Sequence, residues 1–152
     1  MTFLTAPAPA LVTNATVLIA DDEPSMRLLV RATIESDQYQ VLEAADGDQA
    51  WSMIKQYKPS VVLLDVQMPG RTGLEVLAMV RGDPSLDATR VIMLTAKALK
   101  ADIEVGITAG ADLYLTKPFS PLDLLTRVDE ALGRWRSALP RGSLVQPLPD
   151  PV

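Results

Sequence analysis

The sequence contains neither cysteine nor histidine. Without cysteine there are no disulfides and no thiolate nucleophiles, and without histidine there is no imidazole to act as a base. Together these absences exclude nearly all transition-metal sites, which depend on sulfur and imidazole ligands. The chemistry open to this chain therefore rests on carboxylate, hydroxyl and amine groups.

Runs of basic residues and long apolar runs are also absent. The chain has 14 Lys and Arg against 19 Asp and Glu, a formal net charge of −5. The sequence therefore gives no indication of a basic surface that would bind nucleic acid or an anionic membrane. The first residues lack the positive charges of a secretory signal, and no apolar stretch after them could span a bilayer. We expect a soluble, cytoplasmic protein that contacts neither nucleic acid directly nor a membrane.

The length of 152 residues and the hydrophobic content of 48% are typical of one globular domain with a sizeable core. Residues 1–14 and 137–152 are rich in Pro, Ala and small residues without periodicity. This composition predicts a flexible N-terminal extension and a flexible, Pro-rich tail. Residues 15–136 are predicted to fold as a single domain.

Short apolar runs alternate with helical patterns along the folded part. Unalternated runs of Val, Ile and Leu are typical of strands buried on both faces, which indicates parallel pairing. The predicted strands are 17–20, 40–43, 61–64, 91–94 and 113–115. The predicted helices are 23–35, 46–57, 74–80, about 101–109, and 120–135. Five alternations of strand and helix predict a doubly wound α/β sandwich with right-handed crossovers.

Polar side chains follow the predicted strands at their carboxyl ends, where ligands bind in such sheets. The first strand is followed by Asp21 and Asp22, and the third by Asp65. The fourth is followed by Thr95, and Lys117 comes shortly after the fifth. Three acids, a hydroxyl and an amine are therefore expected to converge.

Most of these residues have an ordinary alternative when taken alone. Asp22 or Glu23 could cap the first helix. Thr95 could bond to nearby backbone, and Lys117 could be a solvated loop lysine. Asp65 resists the capping explanation because no helix begins directly after it. Their joint placement is what favours a functional site.

Three carboxylates at one sheet edge repel one another unless a cation lies between them. Magnesium suits an all-oxygen ligand set better than calcium, because no loop here supplies the six to eight oxygens that calcium takes. Beside magnesium, Asp65 could attack a phosphoryl group whose charge is shared by Lys117, Thr95 and nearby backbone amides. The product would be an aspartyl phosphate.

Four sequence blocks resemble the signature blocks of bacterial two-component response-regulator receiver domains. They read VLIADDE at 17–23, LLDVQMPG at 63–70, MLTAK at 93–97 and GADLYLTKPF at 110–119. The resemblance is to the stand-alone, chemotaxis-regulator type. It implies a (βα)5 flavodoxin-like sandwich, with a five-stranded parallel sheet of order 2-1-3-4-5 and helices on both faces.

The resemblance also implies roles for individual residues. Asp65 would be the phosphoacceptor of a domain that assists its own phosphorylation and dephosphorylation and is not otherwise an enzyme. Mg²⁺ would be held by Asp21, Asp22, Asp65 and the backbone carbonyl of Gln67. The phosphoryl group would be bound by Thr95, the backbone amide of Ala96, and Lys117.

Two further features follow from the resemblance. Thr95 and Tyr114 match a switch in which the hydroxyl moves toward the phosphoryl group and the ring turns inward. The alternative for Tyr114 is a partly buried strand aromatic. The peptide bond between Lys117 and Pro118 matches a position that is cis in the family.

A domain of this type needs a phosphodonor. The resemblance implies a phosphohistidine on a sensor histidine kinase or a histidine phosphotransfer protein, and this chain has no histidine of its own. Leu28, Phe119 and Leu122 are candidates for an apolar donor-docking patch. The alternative for Leu28 is an ordinary exposed leucine.

The output is expected to pass to an unknown downstream protein through the fourth predicted helix, the fifth strand and the last helix. Homodimerisation through the same surface is a further option. Two alternatives remain open: a receiver-like scaffold that works without phosphorylation, and the N-terminal receiver part of a longer multidomain regulator.

Overall fold

The structure is a computed structural model that describes residues 15–36, 38–96 and 110–133. The predicted helix at 101–109, both terminal extensions and residues 134–136 lie outside these ranges. The strands are β1 (Ala15–Ala20), β2 (Tyr39–Ala44), β3 (Val61–Asp65), β4 (Arg90–Thr95) and β5 (Leu113–Thr116). The helices are α1 (Pro24–Ile34), α2 (Gly47–Tyr57), α3 (Gly73–Arg81) and α4 (Pro121–Ala131), with a 3₁₀ helix at Pro84–Leu86.

The five strands form one parallel sheet of order β2-β1-β3-β4-β5, as expected from the sequence. The sheet begins with β1 and extends in one direction to β2 and in the other through β3 to β5. The change of direction lies between β1 and β3, so the crevice where ligands bind in such sheets is expected beside the ends of these two strands.

Helices cover both faces of the sheet and enclose two apolar clusters. On one face, α1 and α4 pack over strand residues such as Val17 and Leu63. On the other face, α2 and α3 pack over their neighbours Leu18 and Leu64. Because successive side chains of a strand point to opposite faces, β1 and β3 must be apolar at consecutive positions. This burial explains the unalternated runs in the sequence.

Local signals set the helix ends. Pro24 lies in the first turn of α1, where a missing N–H is tolerated. Both α3 and α4 begin with a capping box, Thr72 with Glu75 and Ser120 with Asp123. None of the helices in the described ranges is both long and apolar enough to cross a membrane.

The predicted end of the last helix at residue 135 is wrong. The helix α4 ends at Ala131, and Leu132 and Gly133 form a turn. Gly133 has a φ of 67°, a left-handed conformation that glycine adopts without steric cost and that ends many helices. Leu132 continues the apolar spacing of the preceding turn, so the apolar pattern predicted a helix that runs past Gly133.

Candidate functional site

The carboxyl ends of the strands bring the predicted site residues to one edge of the sheet. Asp21 directly follows β1, Asp65 is the last residue of β3, and Thr95 is the last residue of β4. Lys117 directly follows β5, and its backbone N–H donates to the carbonyl of Thr95 at 2.7 Å. Parallel pairing therefore places together residues that are up to 96 positions apart in the chain.

The carboxylates of Asp21, Asp22 and Asp65 form an acidic cluster. Each offers one oxygen, and these oxygens lie within 4.8 Å of one another. Asp21 and Asp65 are buried, whereas Asp22 is exposed. Oxygen ligands that leave one side open fit Mg²⁺, which binds through one or two carboxylates and keeps several waters. The residues present therefore fit a magnesium ion.

Lys117 reaches across the site to the acidic cluster. Its Nζ lies 2.7 Å from Asp21 Oδ2, 3.3 Å from Asp65 Oδ2 and 3.7 Å from Glu23 Oε1. The side chain is only 14% exposed, so the alternative of a solvated loop lysine is wrong. The peptide bond from Lys117 to Pro118 is cis, the isomer that the resemblance implies.

Burial and charge shift the titration of two groups in the site. The pKa of the Asp65 carboxyl is raised by burial and by repulsion from Asp21, against the opposing effects of Lys117 and the Gln67 amide. Burial lowers the pKa of Lys117, but the hydrogen bond to Asp21 and the charges of Asp65 and Asp21 outweigh it, so the net shift is upward. Lys117 is therefore a cation at neutral pH, and Asp65 is penalised as an anion.

The turn after β3 holds Asp65 from the backbone side. The N–H of Gln67 donates to Asp65 Oδ1 at 3.2 Å. Gly73 begins α3 directly against this turn, where a Cβ would lie 2.1 Å from the carbonyl oxygen of Asp65. Only glycine allows that close approach. The structure thus shows an amide contact for Gln67, and a metal-ligand role for its carbonyl stays a prediction.

A cleft of about 780 Å³ opens over the acidic cluster. Its wall includes Thr95 and Ala96 from the end of β4, Lys117, and the ring of Tyr114. The side chain of Tyr114 is only 2% exposed. It is therefore more deeply buried than the partly buried strand aromatic that was the alternative to a switch residue. The rest of the wall is mixed: Val66 and Leu74 are apolar, whereas Asp22, Glu23, Asp65 and Gln67 are polar. The cleft therefore has room for a small charged group beside Asp65, against a wall that is partly polar and partly apolar.

Two of the three predicted docking residues are strongly exposed. Leu28 on α1 is 65% exposed and Leu122 at the start of α4 is 72% exposed. Phe119 differs from them, because it is half-buried and packs against the core cluster beneath α1 and α4. The structure therefore leaves two large apolar side chains available on the elements that flank the cleft.

The capping alternative for Glu23 is wrong. Glu23 is the N-cap residue of α1, but its side chain makes no capping hydrogen bond. Its N–H is instead accepted by Asp21 Oδ1 at 2.9 Å. A second contact was not predicted at all: the guanidinium of Arg27 donates to the backbone carbonyl of Asp21 at 2.8 Å. No sequence signal marks it, since an arginine in a first helical turn is ordinarily a solvated charge.

Comparison with known proteins gives consistent matches. The family model of the response regulator receiver domain matches residues 17–129. The transcriptional regulatory protein ResD of Bacillus subtilis is 41% identical over 123 residues, which are 80% of this chain and 50% of that protein. The DNA-binding response regulator MtrA of Mycolicibacterium smegmatis is 34% identical over 118 residues, which are 78% of this chain and 50% of that protein.

A solved structure gives the same result. The chemotaxis response regulator CheY4 of Vibrio cholerae superposes with a TM-score of 0.75 and 35% identity, covering 79% of this chain and all of that one. This chain spans about half the length of the curated relatives that it matches. From the sheet order, the strand-end residues and these matches, it follows that the chain belongs to the response regulator receiver domains of two-component signalling.

Proposed function

We propose that this domain accepts a phosphoryl group on Asp65 in a magnesium-dependent reaction. The observation that carries the proposal is the position of the Asp65 carboxylate: it lies at an open cleft, 3.3 Å from the Lys117 Nζ and in one cluster with two further carboxylates. The Asp65 carboxylate can act as a nucleophile there, and the Lys117 ammonium supplies positive charge for the phosphoryl oxygens.

The donor is a phosphohistidine. The reaction joins an oxygen of Asp65 to phosphorus and breaks the bond between phosphorus and the histidine nitrogen of the donor. The products are a mixed anhydride on Asp65 and a donor imidazole that takes a proton. Asp21, Asp22, Asp65 and the carbonyl of Gln67 would hold the ion. When bound, magnesium would neutralise charge on the phosphoryl oxygens.

Other groups of the chain act on the transferred group directly. The Lys117 ammonium pairs with a phosphoryl oxygen as it leaves its contact with Asp65, and the Thr95 hydroxyl and the Ala96 amide donate to the others. Tyr114 lines the cleft with Thr95, and its ring changes position when that hydroxyl moves toward the phosphoryl group. The domain assists its own phosphorylation and dephosphorylation without turning over a separate substrate.

The partners follow from the same chemistry. A phosphohistidine on a sensor histidine kinase or phosphotransfer protein is the donor, and Leu28, Leu122 and Phe119 form its docking patch. The output passes to a downstream protein through β5, α4 and the predicted helix at about 101–109, with homodimerisation through this surface as one form of it. A second output is favoured by the relative named as a DNA-binding regulator: the domain controls a DNA-reading domain of a longer protein.

Binding of beryllofluoride tests the proposal, because this anion occupies the position of a phosphoryl group on a carboxylate. Fluorine NMR of the protein with beryllofluoride should show bound signals only when magnesium is present. Asp65→Asn should abolish them, while Asp83→Asn, at the N-cap of the 3₁₀ helix before β4, should keep them. Bound signals that persist in Asp65→Asn, or none in the unaltered protein, would contradict the proposal.

A further inference from the structure

We propose that Arg27 is a positioning residue of the metal site: its guanidinium holds the backbone carbonyl of Asp21 and thereby sets the direction in which the Asp21 and Asp22 carboxylates point. The inference rests on the proposed function, because it assumes that these carboxylates bind magnesium. Arg27 itself would bind neither the ion nor the phosphoryl group, since its hydrogen bonds go to the Asp21 carbonyl and to Glu43.

The guanidinium of Arg27 is held at two ends. Its Nη1 donates to the carbonyl of Asp21 at 2.8 Å, and its Nε donates to Glu43 Oε1 at 3.2 Å. The side chain is 18% exposed, so it lies largely within the fold. A planar fork with two fixed acceptors has little freedom to rotate, and the position of the Asp21 carbonyl is therefore well defined.

Glu43, which accepts from Arg27, is also held in position. Glu43 lies in β2, next to β1 in the sheet, with Ile19 as its register partner. Its second oxygen accepts from Nε of Arg31 at 2.7 Å. Arg27 thus ties the turn after β1 to the neighbouring strand.

The peptide group between Asp21 and Asp22 has little other support from the sheet. The ladder between β1 and β3 ends at Ala20, and the N–H of Asp21 still donates to Ala44 at 3.1 Å. The carbonyl of Asp21 therefore lies beyond the paired part of the strand, where Arg27 holds it. A displacement of this peptide group would shift the Cα atoms of Asp21 and Asp22, and with them the carboxylates that they carry.

The geometry matters because Mg²⁺ demands near-ideal octahedral coordination and tolerates displaced ligands poorly. The charge of Arg27 acts in the opposite sense. A positive charge on the turn after β1 weakens the attraction of the acidic cluster for a second cation, so its removal alone should tighten magnesium binding. Loss of positioning should lower the affinity for magnesium, whereas loss of the positive charge should raise it, so the two effects of the same substitution are opposite.

Calorimetric titration of Mg²⁺ into the full chain separates the two effects. Arg27→Gln should weaken magnesium binding by about tenfold, the lower end of the range for partners that orient metal ligands. Arg127→Gln is the matched control, since Arg127 is similarly buried and also bonds to a glutamate, Glu130. It should leave the affinity unchanged. If Arg27→Gln does not fold, Arg27→Met keeps the packing of the stem and carries the same expectation.

Unchanged or tighter magnesium binding in the Arg27 variant overturns the inference, and so does an equal loss in the Arg127 control. Phosphorylation by acetyl phosphate gives a second readout. The magnesium concentration at half-maximal rate should rise about tenfold in the Arg27 variant, while the rate at saturating magnesium stays within about twofold of the original. A protein that binds magnesium and is phosphorylated, but is indifferent to Arg27, refutes this inference alone. Absence of magnesium binding in the unaltered protein refutes the proposed function as well.

Discussion

The ammonium of Lys117 lies 2.7 Å from Oδ2 of Asp21, a contact between residues 96 positions apart in the chain. The same ammonium is 3.3 Å from Oδ2 of Asp65. Lys117 thus supplies a positive charge to two of the three carboxylates of the acidic cluster. A metal ion that binds these oxygens must share them with the lysine.

Replacement of Lys117 should therefore separate metal binding from phosphoryl acceptance. Lys117→Met removes the competing cation, so we expect magnesium to bind several-fold more tightly. It also removes a donor to the phosphoryl oxygens, so phosphorylation should slow by roughly 100-fold. Calorimetry with magnesium and a time course with acetyl phosphate measure the two quantities. Lys55→Met is the control, because Lys55 lies over the Trp51 ring on α2. Weaker magnesium binding in Lys117→Met would count against the account.

The raised pKa of Asp65 predicts that this residue costs stability in the metal-free protein. A carboxyl whose pKa is raised by folding holds its proton more tightly in the folded state. Its penalty is absent at low pH, where it is protonated in both states, and appears as the pH rises past its ordinary pKa. The penalty is complete above the raised pKa. Asp65→Asn should therefore increase the free energy of unfolding at neutral pH.

Urea unfolding in the presence of EDTA measures this effect. The difference between Asp65→Asn and the original protein should be largest at neutral pH and should shrink as the pH is lowered. Asp22→Asn is the matched comparison, because Asp22 belongs to the same acidic cluster but is exposed. A stability gain in Asp65→Asn that does not depend on pH would show that burial of its charge is not the cause.

A second buried carboxylate has a structural role and should behave differently. Asp112 is fully buried and accepts from the Arg81 guanidinium at 2.7 Å and from the Val91 N–H at 2.8 Å. Asp112→Ala leaves a half-buried guanidinium without this partner, so we expect a loss of about 3 kcal/mol of unfolding free energy. Asp48→Ala, which breaks the exposed pair with Arg71, should cost less than about 1 kcal/mol. Equal losses in urea unfolding would contradict this assignment.

The exposed leucine on α1 gives a test of donor docking. Leu28→Asp should slow phosphoryl transfer from a phosphohistidine protein by about tenfold or more, because it places a charge in an apolar contact. Phosphorylation by acetyl phosphate should be unchanged, since a small donor needs no docking surface. Tyr57→Asp is the control, as Tyr57 is also exposed but lies at the end of α2. Equal loss with both donors would remove Leu28 from the docking surface.

The fold was predictable because both faces of the sheet are buried. Strands such as Val61–Asp65 must then be apolar at consecutive positions, and the helices between them carry one apolar stripe each. The ends were harder to place, because they depend on single residues. Gly133 ended α4 earlier than its apolar spacing suggested, and the 3₁₀ helix at Pro84–Leu86 was not predicted. The sequence signal for this 3₁₀ helix was Asp83, whose side chain caps the helix by accepting from the Ser85 N–H.

The convergence of Asp21, Asp65 and Lys117 was also predictable, because parallel strands carry their last residues to the same edge. The contacts that orient these residues were not. The hydrogen bond from Arg27 ends on the backbone carbonyl of Asp21. Every residue carries such a carbonyl, so the residue type at position 21 does not indicate which donor will bind it. The partnership of Asp112 with Arg81 depends on how the end of α3 packs against the start of β5, which only tertiary structure sets.

Phosphorylation of Asp65 is the central claim, and intact-mass spectrometry after incubation with magnesium and acetyl phosphate tests it most directly. The account predicts a gain of about 80 Da, the mass of one phosphoryl group, that hydroxylamine removes. The gain should require magnesium and should be absent in Asp65→Asn but present in Asp83→Asn. An unmodified mass in the original protein, together with no magnesium-dependent beryllofluoride binding, would contradict the account and favour a scaffold that works without phosphorylation.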